Sequence, residues 1–176
     1  MTTICSINVG YGQVVSSSIS DSITIWYHGE FNKNKSKIEY PLDPIDWVND
    51  FEHLFTNSEI YVLDSMISTF EKQTTIEIAI LTVDSSFVKP EEFDNMVTTM
   101  ARIWGVGKKD KNNGLIIGIS ATLRKIRIST GLGIEKILSD VEAKNIIEEI
   151  IIPEFKNANF YQGIKNALIA IITKLT

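Results

Sequence analysis

The chain has 176 residues, with 22 acidic against 17 basic side chains and a formal charge of −5. That balance leaves no excess cation to neutralise a phosphate backbone and excludes a general nucleic-acid binder. Hydrophobic residues at 44% and charged residues at 22% suit one folded domain with a good core. The single cysteine, Cys5, allows no intramolecular disulfide. Met1 to Ser20 has neither a charged start nor a continuous apolar run, so it does not read as a secretory signal. The densest C-terminal apolar run, Ala167 to Ile172, falls far short of the roughly 20 residues of a membrane span. The chain as it stands reads as soluble and cytoplasmic.

The first element in chain order is an extension, residues 1–44. Ile23, Ile25 and Tyr27 alternate with Thr24 and Trp26, which predicts a short strand, and Ile38 to Tyr40 predicts a second across a polar Asn/Lys loop. Pro41 and Pro44 punctuate its end. The main domain, residues 45–176, begins with Thr56-Asn57-Ser58-Glu59, the pattern of a capping box. Ile60, Leu63, Ile67 and Phe70 follow at helical spacing, predicting a helix over 57–73 with one apolar face. The run from Ile76 to Val83 is apolar on both faces, as in a buried strand. Pro90, Glu91 and Glu92 suit a first helical turn. Phe93, Met96, Val97, Met100, Ala101 and Trp104 make that helix's core stripe, and Gly105 stops it.

A basic loop, Lys108 to Lys111, leads through Asn112-Asn113 to Gly114 and an apolar strand ending near Ser120. Lys125 to Thr130 returns antiparallel, and Arg127, between Ile126 and Ile128, is expected to face outward. Gly131-Leu132-Gly133 follows. Ser139-Asp140-Val141-Glu142 is a second capping box, opening a helix that Pro153 should end. Asn159 caps a last helix carrying Phe160, Ile164, Leu168, Ile171, Ile172 and Leu175. Together these elements predict an α/β fold: a three-layer α/β/α sandwich with a small mixed sheet, an antiparallel hairpin and helices on both faces.

With these residues assembled, the main domain resembles the TPM domain family, which includes the thylakoid-lumen acid phosphatase and photosystem II repair proteins and many bacterial envelope proteins. The features that carry the resemblance begin with Val48-Asn49-Asp50 and the strand Ile76 to Val83. They continue with Ala101 to Lys108, Lys111 to Leu115, Arg124 to Ile128, Gly131 to Glu135, Leu138-Ser139-Asp140 and Ile152 to Phe155. The resemblance implies a cation-binding domain, often for calcium, with phosphatase-like activity in some plant members. The chain departs from the family pattern in lacking a signal peptide and a C-terminal membrane segment. It also carries Leu132 where an aromatic residue is common and Lys136 where glycine is common.

Under that resemblance Asp50, Glu135 and Asp140 are the candidate carboxylates of a Ca²⁺ or Mg²⁺ site. Asn112, Asn113 and glycine-loop carbonyls would complete an oxygen shell at one edge of the sheet. Asp84, after the first long strand, is expected at the opposite edge. Lys108, Lys109 and Lys111 form a basic rim able to steer a phosphate or acidic partner. No G-x-S-x-G elbow or Walker A sequence is present, and His28 and His53 lack zinc-site companions. Three functions follow: a divalent-cation-binding interaction or accessory module; a metal-dependent phosphatase in which the cation polarises a phosphoryl oxygen; or a structural domain whose partner binds the N-terminal extension.

Overall fold

In the computed structural model the described residues are 5–8 and 42–176. The strands expected at Ile23–Tyr27 and Ile38–Tyr40 lie outside them. The elements are β1 (Cys5–Asn8), β2 (Val48–Asp50), α1 (Asn57–Thr74), β3 (Glu77–Thr82), α2 (Phe93–Trp104), β4 (Gly114–Ser120), β5 (Lys125–Thr130), α3 (Asp140–Asn145), a π-helical segment (Ile146–Ile151), α4 (Ile152–Phe155) and α5 (Phe160–Leu175).

The sheet runs β1-β5-β4-β3-β2. β2, β3 and β4 are parallel, with Asp50 opposite Thr82 and Glu77 opposite Gly114. β4 and β5 form the expected antiparallel hairpin, Leu115 opposite Thr130 and Ser120 opposite Lys125. β1 adds antiparallel to β5, Cys5 opposite Ile128.

Strand alternation divides the core in two. Ile78, Ile80, Leu115, Ile117, Ile119, Ile126 and Ile128 face a layer built by α1, the α3–α4 segment and α5. Ala79, Leu81 and Ile116 face Phe93, Met96, Val97 and Met100 of α2. The α/β/α sandwich is therefore realised, with α2 the one helix on its face among the described residues. Each fully buried Ile or Leu contributes about 1.5–3 kcal/mol of hydrophobic stabilisation. Gly118 sits where α2 crosses β4: a Cβ there would lie 2.8 Å from Val97 Cγ1 and nearer still to Cγ2. The helix reaches the sheet because that position has no side chain.

Both capping boxes form. Glu59 Oε2 accepts from the Thr56 amide at 2.7 Å, and Glu142 Oε2 accepts from the Ser139 amide at 2.8 Å. Two local expectations are corrected. Pro90 lies in a turn, with the Glu92 amide bonded to the Lys89 carbonyl, and α2 starts only at Phe93. Pro153 does not end its helix, which continues to Phe155. The preceding segment is π-helical, and the Ile152 amide reaches back to the Ile147 carbonyl. That wider turn accommodates a ring that an α-helical interior would reject. Among the described residues no helix is long and apolar enough to cross a membrane.

Candidate functional site

The two edges of the sheet separate the residues that the resemblance drew together. Asp50 ends β2 opposite Thr82, whereas Asn113 precedes Gly114, which lies opposite Glu77 at the other end of β3. Five strand steps at about 3.3 Å each put these ends on the order of 16 Å apart. Asp50 therefore belongs with Asp84 at the carboxyl edge, and the idea that it folds over the Asn112–Glu135 edge is corrected. A residue following a parallel strand stays at that strand's carboxyl end.

At the carboxyl edge Asp50 is a clamp. Its Oδ1 accepts from the Leu54 amide at 3.0 Å and from Thr82 Oγ1 at 2.5 Å, and its Oδ2 accepts from the Phe55 amide at 2.9 Å. These bonds fix the turn into α1. Glu52 does the same for the hairpin, accepting from the Ala121 and Thr122 amides at 2.8 Å each. Burial pushes the Glu52 carboxyl above the usual range, and nearby Asp84 adds to the rise, against the lowering effect of the Thr122 and Ala121 amides.

At the opposite edge, Asn113 is 6% exposed. It accepts from the Lys108 amide at 2.9 Å and donates to the Thr75 carbonyl at 2.7 Å. Asn112 adopts φ 49 and turns its carbonyl to the Gly133 amide at 2.9 Å. Glu135 is half-buried before α3, and Asp140 is exposed in the first turn of α3. Asp140 there complements the helix dipole. Asp50, Asn112, Asn113, Glu135 and Asp140 thus do not fit a single cation shell. Among the described residues no group of three or more His, Cys, Asp or Glu could hold a metal ion.

The glycines of this edge have a packing reason. A Cβ on Gly131 would lie 2.9 Å from the Asn112 carbonyl carbon and closer to its oxygen; one on Gly133 would lie 3.0 Å from the Asn112 oxygen and closer to that of Lys111. The segments 111–114 and 131–133 are stacked backbone on backbone, held by Gly131 N to Gly114 O at 2.8 Å.

That stack forms one wall of a cavity of ≈540 Å³ between the C-terminal half of α2 and the Gly114/Thr130 end of β4 and β5. Arg102, Lys108 and Lys109 line it, and among its described lining residues there is no carboxylate. Lys108 is committed elsewhere: its ammonium pairs with Glu77 and lies 3.8 Å from Glu71, and the Glu77 hydrogen bond holds it above the usual lysine range. Arg102 and Lys109 are exposed and make no ion pair among the described residues. Ser129, 3% exposed, also lines the cavity, and its hydroxyl has no hydrogen-bond partner among the described residues.

The basic rim was readable in Lys108 and Lys109. Arg102 and Ser129 were missed, because nothing local says that α2 ends over the strand hairpin. Arg127, expected outside, is 1% exposed beneath α2, with Asp94 at 4.0 Å. Its strand is covered on both faces, so alternation has no solvent side to report.

Comparison with known proteins gives a consistent picture. A family model described as the TPM domain matches residues 48–174. Among solved structures, the N-terminal domain of a protein from P. gingivalis is 29% identical, with TM-score 0.66, covering 73% of this chain and 81% of that one. The BA42 protein from Bizionia argentinensis is 21% identical, with TM-score 0.60 over 71% of this chain and 83% of its own. The N-terminal domain of the cg2496 protein from Corynebacterium glutamicum, at 16% identity and TM-score 0.56, covers 82% of this chain and 89% of its own. The latter two share the fold. No curated protein sequence matches the chain.

Proposed function

The chain belongs to the TPM domain family, and on that premise we propose that it is an accessory module that binds a small organic group in the cavity between α2 and the β4–β5 edge. The observation that carries this reading is the cavity itself. At ≈540 Å³ it has the capacity of a small-molecule pocket, which runs about 300–1,000 Å³. Its walls come from α2, β4 and β5 together with the loops that follow α2 and β5. The carboxylates that metal-assisted hydrolysis would recruit are engaged by backbone amides, Asp50 and Glu52 at the far edge. A panel of neutral and charged aromatic fragments, titrated into ¹⁵N-labelled protein, tests the reading. Shifts centred on Gly105, Val106, Gly131 and Leu132 are expected. Shifts confined to other surfaces would overturn it.

A second reading, weak Ca²⁺ or Mg²⁺ binding, is favoured by one observation: Glu52 is raised by burial with Asp84 nearby. A cation would relieve that carboxyl, and its site would be the carboxyl edge. The phosphatase reading depends on this one, since its hydrolytic water needs the cation. Millimolar Ca²⁺ should then shift the amides of Glu52, Asp84 and Thr122. Unmoved amides there would remove both cation binding and the metal-dependent phosphatase.

A further inference from the structure

We infer that the ligand of this cavity is an organic oxyanion: a phosphate, phosphonate or carboxylate group carried on a small apolar body. The inference rests on the cavity reading above and gives its occupant a chemistry.

Three observations converge. The first is charge. In a chain of net charge −5, the described lining carries three cations and no carboxylate. Lys108 is tied to Glu77, which leaves Arg102 and Lys109 available. A guanidinium presents a planar fork that meets an oxyanion with two bonds, and an ammonium adds a point charge. The second is Ser129. Its hydroxyl is buried and lacks a partner among the described residues, a state that costs free energy unless something in the cavity completes the bond. With the side chain turned toward the cavity, a ligand oxygen would accept it. The third is the remaining wall. Ala101, Val106 and Leu132 supply apolar surface, and the space far exceeds a lone phosphate. The anion therefore arrives with an apolar body.

One feature opposes an anion. α2 ends at Gly105, so the negative end of its dipole is nearby. Two backbone amides, Gly105 and Val106, already cover its last carbonyls, and Arg102 in the last turn offsets the rest. The balance of two available cations against a capped helix end favours the anion.

Calorimetric titration of the full chain with phenylphosphonate, benzoate, inorganic phosphate and benzyl alcohol is the test. Phenylphosphonate and benzoate should bind about tenfold or more tightly than benzyl alcohol, and phenylphosphonate more tightly than inorganic phosphate. The double variant Arg102→Gln, Lys109→Gln changes only exposed side chains. It should weaken phenylphosphonate about tenfold or more and leave benzyl alcohol unchanged. Ser129→Ala should weaken the phosphonate a few-fold. Equal binding of neutral and anionic aromatics, insensitive to the double variant, would overturn the oxyanion inference and leave the cavity reading standing. Tighter binding of inorganic phosphate than of phenylphosphonate would overturn the apolar-body part. Binding of none of the four would overturn both readings.

Discussion

Gly131→Ala distinguishes a packed glycine edge from a pliant ligand loop. The added Cβ would lie 2.9 Å from the Asn112 carbonyl carbon, nearer to its oxygen, and 3.4 Å from the Gly114 nitrogen. Carbon atoms pack at about 3.5–4.0 Å, so segment 111–114 must withdraw by roughly an ångström. Its obstacle is main chain, not a side chain that can rotate. The withdrawal stretches Gly131 N to Gly114 O, now 2.8 Å, and Gly133 N to Asn112 O, now 2.9 Å. Two weakened hydrogen bonds remove about 0.5–1.5 kcal/mol each, and overpacking adds about 1–3 kcal/mol. Loss of glycine's unfolded-state freedom returns about 0.5–1 kcal/mol. The net is a destabilisation of about 1–5 kcal/mol, read as a lowered urea midpoint at unchanged slope. A change below about 0.5 kcal/mol, the size of an ordinary surface substitution, would refute the stacked-backbone account.

Three further outcomes follow from the same geometry. Asp50→Asn leaves one side-chain oxygen where two now serve the Leu54 and Phe55 amides and Thr82, so stability should fall by about 1–3 kcal/mol in metal-free buffer; a variant of unchanged stability in chelator would favour a ligand role instead. Gly118→Ala should push α2 outward, and Val97→Ala should relieve it. Urea denaturation of both single variants and the double should show coupling of about 1 kcal/mol or more, and additivity within about 0.5 kcal/mol would contradict the contact. Glu52 carries a carboxyl raised in the folded state, so the folded protein holds that proton more tightly than the unfolded chain. Its stabilising contribution is full below the ordinary glutamate value of 4.5 and is lost as pH rises through the raised value. Relative to wild type, Glu52→Gln should flatten the pH dependence of the urea midpoint in that window; an unchanged slope would show that Glu52 does not titrate there.

Much of the fold was legible because it is written in local chemistry. The two capping boxes, the stripe from Phe93 to Trp104 and the both-face apolar strand at Ile76 to Val83 each report their own surroundings. The positions of Asp50 and Arg127 depend on what lies beside them. β2 is three residues long, too short for alternation to announce a parallel strand, so the sequence alone does not place Asp50 at the carboxyl edge. Arg127 alternates as a solvent-facing residue would, but α2 covers that face. The sequence offers the glycine loop's carbonyls to a cation shell, whereas the cause of the glycines is the close approach of Asn112 and Lys111 from the preceding turn. Arg102 and Ser129, far apart in sequence, meet at one cavity only because Gly118 lets α2 settle onto β4.

The most direct test of the cavity as the binding site is a crystal structure of the protein grown with phenylphosphonate. The account predicts the phenyl ring against Val106 and Leu132, with phosphonate oxygens within hydrogen-bonding distance of Arg102 and Ser129 Oγ. A ligand found only at the carboxyl edge, beside Glu52 and Asp84, or a cavity left empty at saturating phosphonate, would contradict it.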